Sequence, residues 1–125
     1  MKYSLIFLLV SVALCCSYKT MQAQSSGYHV AKTFHIASAG GWDYPAAHQS
    51  SNKLYISHGT QVNILDKETG DSLGVIPNTT GVHGIAFADP FGKGYTSNGR
   101  LNNVRFFDLK TRKVLKKVAT GKNTK

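Results

Sequence analysis

One hairpin occurs twice in this chain. Residues 53–66 read KLYISHGTQVNILD, and residues 93–108 read KGYTSNGRLNNVRFFD. Lys53, Tyr55, Ser57 and Gly59 match Lys93, Tyr95, Ser97 and Gly99 at a spacing of forty. Val62 and Asp66 match Val104 and Asp108 at forty-two, so the second turn is two residues longer. Aromatic and β-branched residues suit a pleated, buried surface. His58-Gly59 supplies the turn, because Gly reaches positive φ without a Cβ clash. A hairpin recurring at this period is the mark of a repeat architecture.

The flanking residues complete each copy. A first repeat runs over residues 42–80, with strands expected near 44–48, 53–57, 61–66 and 71–76. A second runs over residues 81–121, with strands expected near 84–88, 94–97, 103–108 and 113–119. Lys67-Glu68-Thr69-Gly70 and Asp89-Pro90-Phe91-Gly92 are strong turn signals. Four short strands in roughly forty residues are what one propeller blade requires. The run Ile85-Ala86-Phe87 fits a strand covered on both faces. No stretch after the leader has helical apolar spacing. Residues 28–36 (YHVAKTFHI) resemble residues 113–119 (KVLKKVA) and read as a lone N-terminal strand. The expected fold is therefore all-β, a β-propeller fragment of about two four-stranded antiparallel blades plus that strand.

The chain opens as an exported protein does. Lys2 gives a positive start, and Leu5 to Leu14 form an apolar core too short for a stop-transfer helix. Residues 1–23 read as a signal peptide and residues 24–125 as a partial propeller domain, periplasmic or extracellular. No later segment reads as transmembrane. Lipoprotein anchoring at Cys15 or Cys16 is the lesser reading, because bulky Leu14 stands where a small residue is usual. Beyond the leader there is no cysteine, which excludes disulfides, thiol catalysis and Cys-based zinc sites.

The formal net charge is +9, from 15 Lys and Arg against 6 Asp and Glu. Seven of the basic residues lie between Lys110 and Lys125. Such a run suits an anion or nucleic-acid surface. It also suits an edge strand guarded by lysines against unwanted pairing. The guard is the preferred reading, because no aromatic residue is interleaved with Lys113, Lys116 and Lys117 as a stacking platform requires.

The blocks KLYISHGTQVNILDKETGDSLGVIPNT and GKGYTSNGRLNNVRFFDLKTRKVLKKVATG resemble YVTN-type blades of the YncE-like β-propellers. GGWDY (Gly40 to Tyr44) and GVHGIAFA (Gly81 to Ala88) are similar to blade openings of that family. The resemblance implies a seven-bladed ring of an exported protein. Only two blades are present here, so a truncated or partial chain is expected, with self-association through open blade faces.

Propeller geometry brings the entry to each first strand and the turn after each second strand to the channel mouth. Those positions hold Trp42, Asp43 and His58 in one repeat, and His83, Asn98 and Arg100 in the other. They are the candidate ligand-binding rim. Each also has a plainer role: turn formation at His58 and Asn98, packing at Trp42, backbone bonding at Asp43, an interblade hydrogen bond at His83. No catalytic set, metal site or cofactor fingerprint is legible. His29, His35, His48, His58 and His83 lack ligand spacing, and the chain contains no Ser-His-Asp order, phosphate loop or dinucleotide motif. The leading functional expectation is an exported binding or scaffold module for a small molecule or protein. The alternative is a lactonase-like hydrolase whose metal or carboxylate site is completed by further blades.

Overall fold

The structure, a computed structural model, describes residues 27–38 and 40–122. The leader expected over residues 1–23 lies outside the described residues. The chain divides into two units, Met1–Thr33 and Phe34–Lys125. In the first, the described residues 27–33 are exposed and belong to no strand.

The second unit holds two four-stranded antiparallel sheets in strict sequence order. The first comprises β1 (Trp42–His48), β2 (Lys53–His58), β3 (Gln61–Asp66) and β4 (Ser72–Ile76). The second comprises β5 (Val82–Ala88), β6 (Lys93–Asn98), β7 (Asn103–Asp108) and β8 (Val114–Ala119). Two short 3-10 turns interrupt it, Asp89–Phe91 and Gly99–Leu101. The sheets do not close into a barrel. They meet where β5 packs on β1 and β2, and separate toward the outer strands β4 and β8. This is the fan of successive propeller blades.

Alternation along each strand decides what lies between them. Tyr55, Val62 and Ile64 of the first blade face Phe107 of the second, and all four are essentially inaccessible to solvent. Tyr55 lies 4.9 Å from the Phe87 ring and 6.0 Å from Phe107, tilted in both cases. Burial raises the Tyr55 phenol pKa, against a smaller opposing effect of Arg112. Among the described residues no further sheet covers the corresponding face of the second blade, built on Tyr95, Val104 and Phe106, which is only partly buried.

Both turns between β3 and β4, and between β7 and β8, are built the same way. Asp66 Oδ1 accepts the backbone N–H groups of Glu68 and Thr69, each at 2.9 Å. Asp108 Oδ1 accepts those of Lys110 (3.0 Å) and Thr111 (2.6 Å). These bonds favour the ionised carboxylates and hold both pKa values below the ordinary one, with the Thr69 and Thr111 backbone N–H groups the largest causes.

The lone strand expected over residues 28–36 is not formed: residues 28–38 carry no β-ladder. A strand is specified by the ladder it joins, and no described strand pairs with this segment. Its C-terminal residues instead lie against the first blade. Phe34 lies against Gly70, and residues 35–38 line a cavity of about 420 Å³ together with Asn63, Leu65 and Val75.

Candidate functional site

The first strand of each blade breaks register at the same place. Pairing of β1 with β2 slips between Trp42 and Pro45, and pairing of β5 with β6 slips between Val82 and Ile85. Such a bulge leaves a backbone N–H without a ladder partner and re-aims the side chains beside it. In both blades a serine on the neighbouring strand supplies the acceptor. The Tyr44 N–H donates to Ser57 Oγ at 2.7 Å, and the Gly84 N–H donates to Ser97 Oγ at 2.9 Å. This is why serine recurs at that point of the repeat.

The bulges present two side chains that share one repeat position. Asp43 and His83 stand forty residues apart, and Asp43 Oδ2 lies 2.5 Å from His83 Nδ1. Both remain partly open to solvent. They line a cavity of about 390 Å³ with Trp42, Thr60, Val82 and Arg100. The site therefore offers a carboxylate, an imidazole, a guanidinium and an indole on one open concavity. That set can orient a polar ligand through charge-assisted hydrogen bonds while the indole covers an apolar part.

Backbone bonds tie the loops around this cavity. The Gly81 N–H donates to Gly59 O, and the Gly99 N–H donates to Gly81 O, each at 2.8 Å. Gly59 and Gly99 end the two equivalent hairpins, so Gly81 links one to the other. Its φ is 69°, and a Cβ there would come within 2.6 Å of the Arg100 backbone nitrogen. Only glycine satisfies both requirements.

Four expected rim residues, Trp42, Asp43, His83 and Arg100, line the one cavity. The other two are placed differently. His58 and Asn98 are not in turns but end β2 and β6, paired with Gln61 and Asn103. Staying in the ladder points them inward. His58 is 4% exposed, beneath the Trp42 ring at 4.0 Å edge-on. Asn98 is fully buried, and its amide donates to Thr96 Oγ1 and Asn103 Oδ1 at 3.2 and 3.1 Å. Neither lines the rim cavity: His58 supports Trp42, Asn98 is held within its own sheet, and the turns shift to Gly59-Thr60 and to the 3-10 segment Gly99–Leu101.

A second polar cluster, at the opposite ends of β1 and β5, has no signal in residue order. His48 Nδ1 lies 2.5 Å from Ser51 Oγ, and its Nε2 lies 2.5 Å from Asp89 Oδ1. Ser50 donates to the other Asp89 oxygen at 2.6 Å. The Ser50 bond first, and then His48, hold the Asp89 pKa below the ordinary value. The His48 ring is buried against Phe87 with both nitrogens engaged, so the cluster fastens one blade to the next. Only the folded sheets bring Asp89 to His48, forty-one positions away.

No family model matches the chain, and no curated protein matches it in sequence. Among solved structures, Kuenenia stuttgartiensis hydrazine synthase is similar in fold, with a TM-score of 0.62 at 17% identity. The superposition covers 77% of this chain and 28% of that one. It is a likeness of fold alone. Together with the two fanned sheets, it defines the class: an all-β protein built as a fragment of a β-propeller.

Proposed function

We propose that this chain belongs to an exported β-propeller of the YncE-like, YVTN-repeat kind and binds a ligand over the mouth where its inner strands converge. The single observation behind the reading is that Trp42, Asp43, His83 and Arg100, from two repeats, line one cavity. The Arg100 guanidinium beside the His83 imidazole suits a ligand carrying a carboxylate. The only tryptophan is Trp42, so its fluorescence reports occupancy directly. Carboxylate-bearing fragments titrated against that signal identify a binder. Arg100→Gln and His83→Gln then weaken its affinity while far-UV circular dichroism stays unchanged. Unaltered affinity in both variants rules the cavity out as the binding site.

A second reading rests on the Asp43–His83 contact of 2.5 Å. A carboxylate that orients an imidazole is also the arrangement of a general base. A lactonase-like hydrolase would use it to activate water, with further groups supplied by additional blades. Assaying γ-butyrolactone opening separates the two: turnover lost in Asp43→Asn supports the hydrolase, and binding without turnover supports the module.

A further inference from the structure

The sheets part toward their outer strands, and the opening between β4 and β8 is a cationic cleft of about 800 Å³. Its walls include Arg105, Arg112, Lys113 and Lys117, with Pro77 and Val114 as apolar surface and no acidic side chain. Arg105 and Lys117 are directly paired across β7 and β8. They share the face that carries Phe107 toward the first blade. Like charges directly opposite one another in a sheet repel.

Arg105 is the more telling of the two. It is only 8% exposed, and its buried Nε has no hydrogen-bond partner. A guanidinium stays protonated in proteins, and a buried charge is costly unless it is paired. Arg112 does not relieve it. Its Nη1 donates to the Leu73 carbonyl across the cleft, an approach that Gly74, with φ of 135°, leaves open.

The equivalent cleft of the first blade lacks this charge. At the positions of Arg105, Lys113 and Lys117 it has Asn63, Asp71 and Val75. Guarding an edge strand accounts for Lys116, which pairs with Phe106 on the other face. It does not account for cations turned inward between blades.

We infer that this interblade cleft binds a phosphate group, free or as a phosphomonoester, between Arg105 and Lys117, with Arg112 and Lys113 at its flank. A tetrahedral oxyanion would offset the buried positive charge of Arg105 and neutralise the cross-strand repulsion. Pro77 and Val114 would face the organic part of an ester. This site is separate from the rim cavity and does not depend on how that cavity is used.

The test is thermal unfolding and 31P NMR titration of the full chain with sodium phosphate and with phenyl phosphate, against sodium chloride at equal ionic strength. Both phosphates are expected to raise Tm and broaden or shift the 31P signal. Tighter binding of phenyl phosphate identifies an ester site, and equal binding a free-ion site; either supports the inference. Lys117→Gln should weaken binding about tenfold, the loss of one charge-assisted hydrogen bond. Lys116→Gln, on the opposite face, should leave it unchanged. Arg105→Leu should abolish binding without lowering Tm in chloride. The inference is overturned if chloride stabilises as well as phosphate, or if Lys116→Gln weakens binding as much as Lys117→Gln.

Discussion

Phe107 lies across the backbone of Gly94. The two are directly paired between β7 and β6, and a Cβ at position 94 would overlap the Phe107 ring. The corresponding pair in the first blade is Leu54 with Leu65. The second blade concentrates the same apolar volume into one ring, which reaches Tyr55 of its neighbour. Gly94→Ala is therefore expected to cost about 1–3 kcal/mol through overpacking. Phe107→Ala should cost about 3–5 kcal/mol, a large part of a total stability of about 5–15 kcal/mol. Exchanging both residues for leucine should be less harmful than Gly94→Leu alone. Urea denaturation of the set measures the coupling, and strict additivity would contradict the contact.

The serines at the two bulges make a paired prediction. Ser57→Ala and Ser97→Ala each strand one backbone N–H, at a cost of about 1 kcal/mol. Ser57 is fully buried and Ser97 is not, so the first substitution should cost more. Amide exchange should quicken at Tyr44 in one variant and at Gly84 in the other. Exchange that is unchanged at these amides would show that other acceptors serve them.

Acid should unfold the protein through three carboxylates. Asp66, Asp89 and Asp108 all have folded-state pKa values below the ordinary 3.8. The unfolded chain thus takes up these protons first as pH falls. Their stabilising contribution is whole above the ordinary carboxylate pKa and is lost as pH drops through the lowered values. Tm should stay level down to about pH 5 and decline below about pH 4. Asp89→Asn should lower Tm at pH 7 and flatten the acid decline. An equally steep decline in the triple Asp→Asn variant would assign acid unfolding to other groups.

The open face of the second blade should draw chains together. Tyr95 and Phe106 meet edge-to-face there at 4.7 Å, on the side whose counterpart in the first blade is sealed. Sedimentation velocity should show mass rising with concentration, and Phe106→Lys should suppress it. A chain that stays monomeric, with or without Phe106→Lys, would show that this face is not sticky.

The repeat was legible because its recurring residues do mechanical work. Ser57 and Ser97 plug bulges, Asp66 and Asp108 close turns, and β3 and β7 span the residues expected of them. Other features hid from one-dimensional reading. Period-two alternation passes over a one-residue slip, so β1 and β5 begin two residues before the expected starts. The inward turn of His58 and Asn98 depends on whether the ladder or the loop claims them, which a glycine in the next position does not decide. The Asp43–His83 pair did leave a trace: their spacing equals the repeat. The cluster at His48 and the charge on Arg105 left none, since which face of a blade looks inward emerges only when two sheets are stacked.

The serine-plugged bulge reaches beyond the two blades in hand. Because it recurs at a fixed point of the repeat, each further copy of the motif would turn one more variable side chain toward the axis, aspartate here and histidine next. The mouth of such a ring is spelled one letter per blade. On the proposed binding role, selectivity would then drift by single substitutions at the aspartate and histidine positions while the hydroxyl behind each bulge keeps the backbone unchanged.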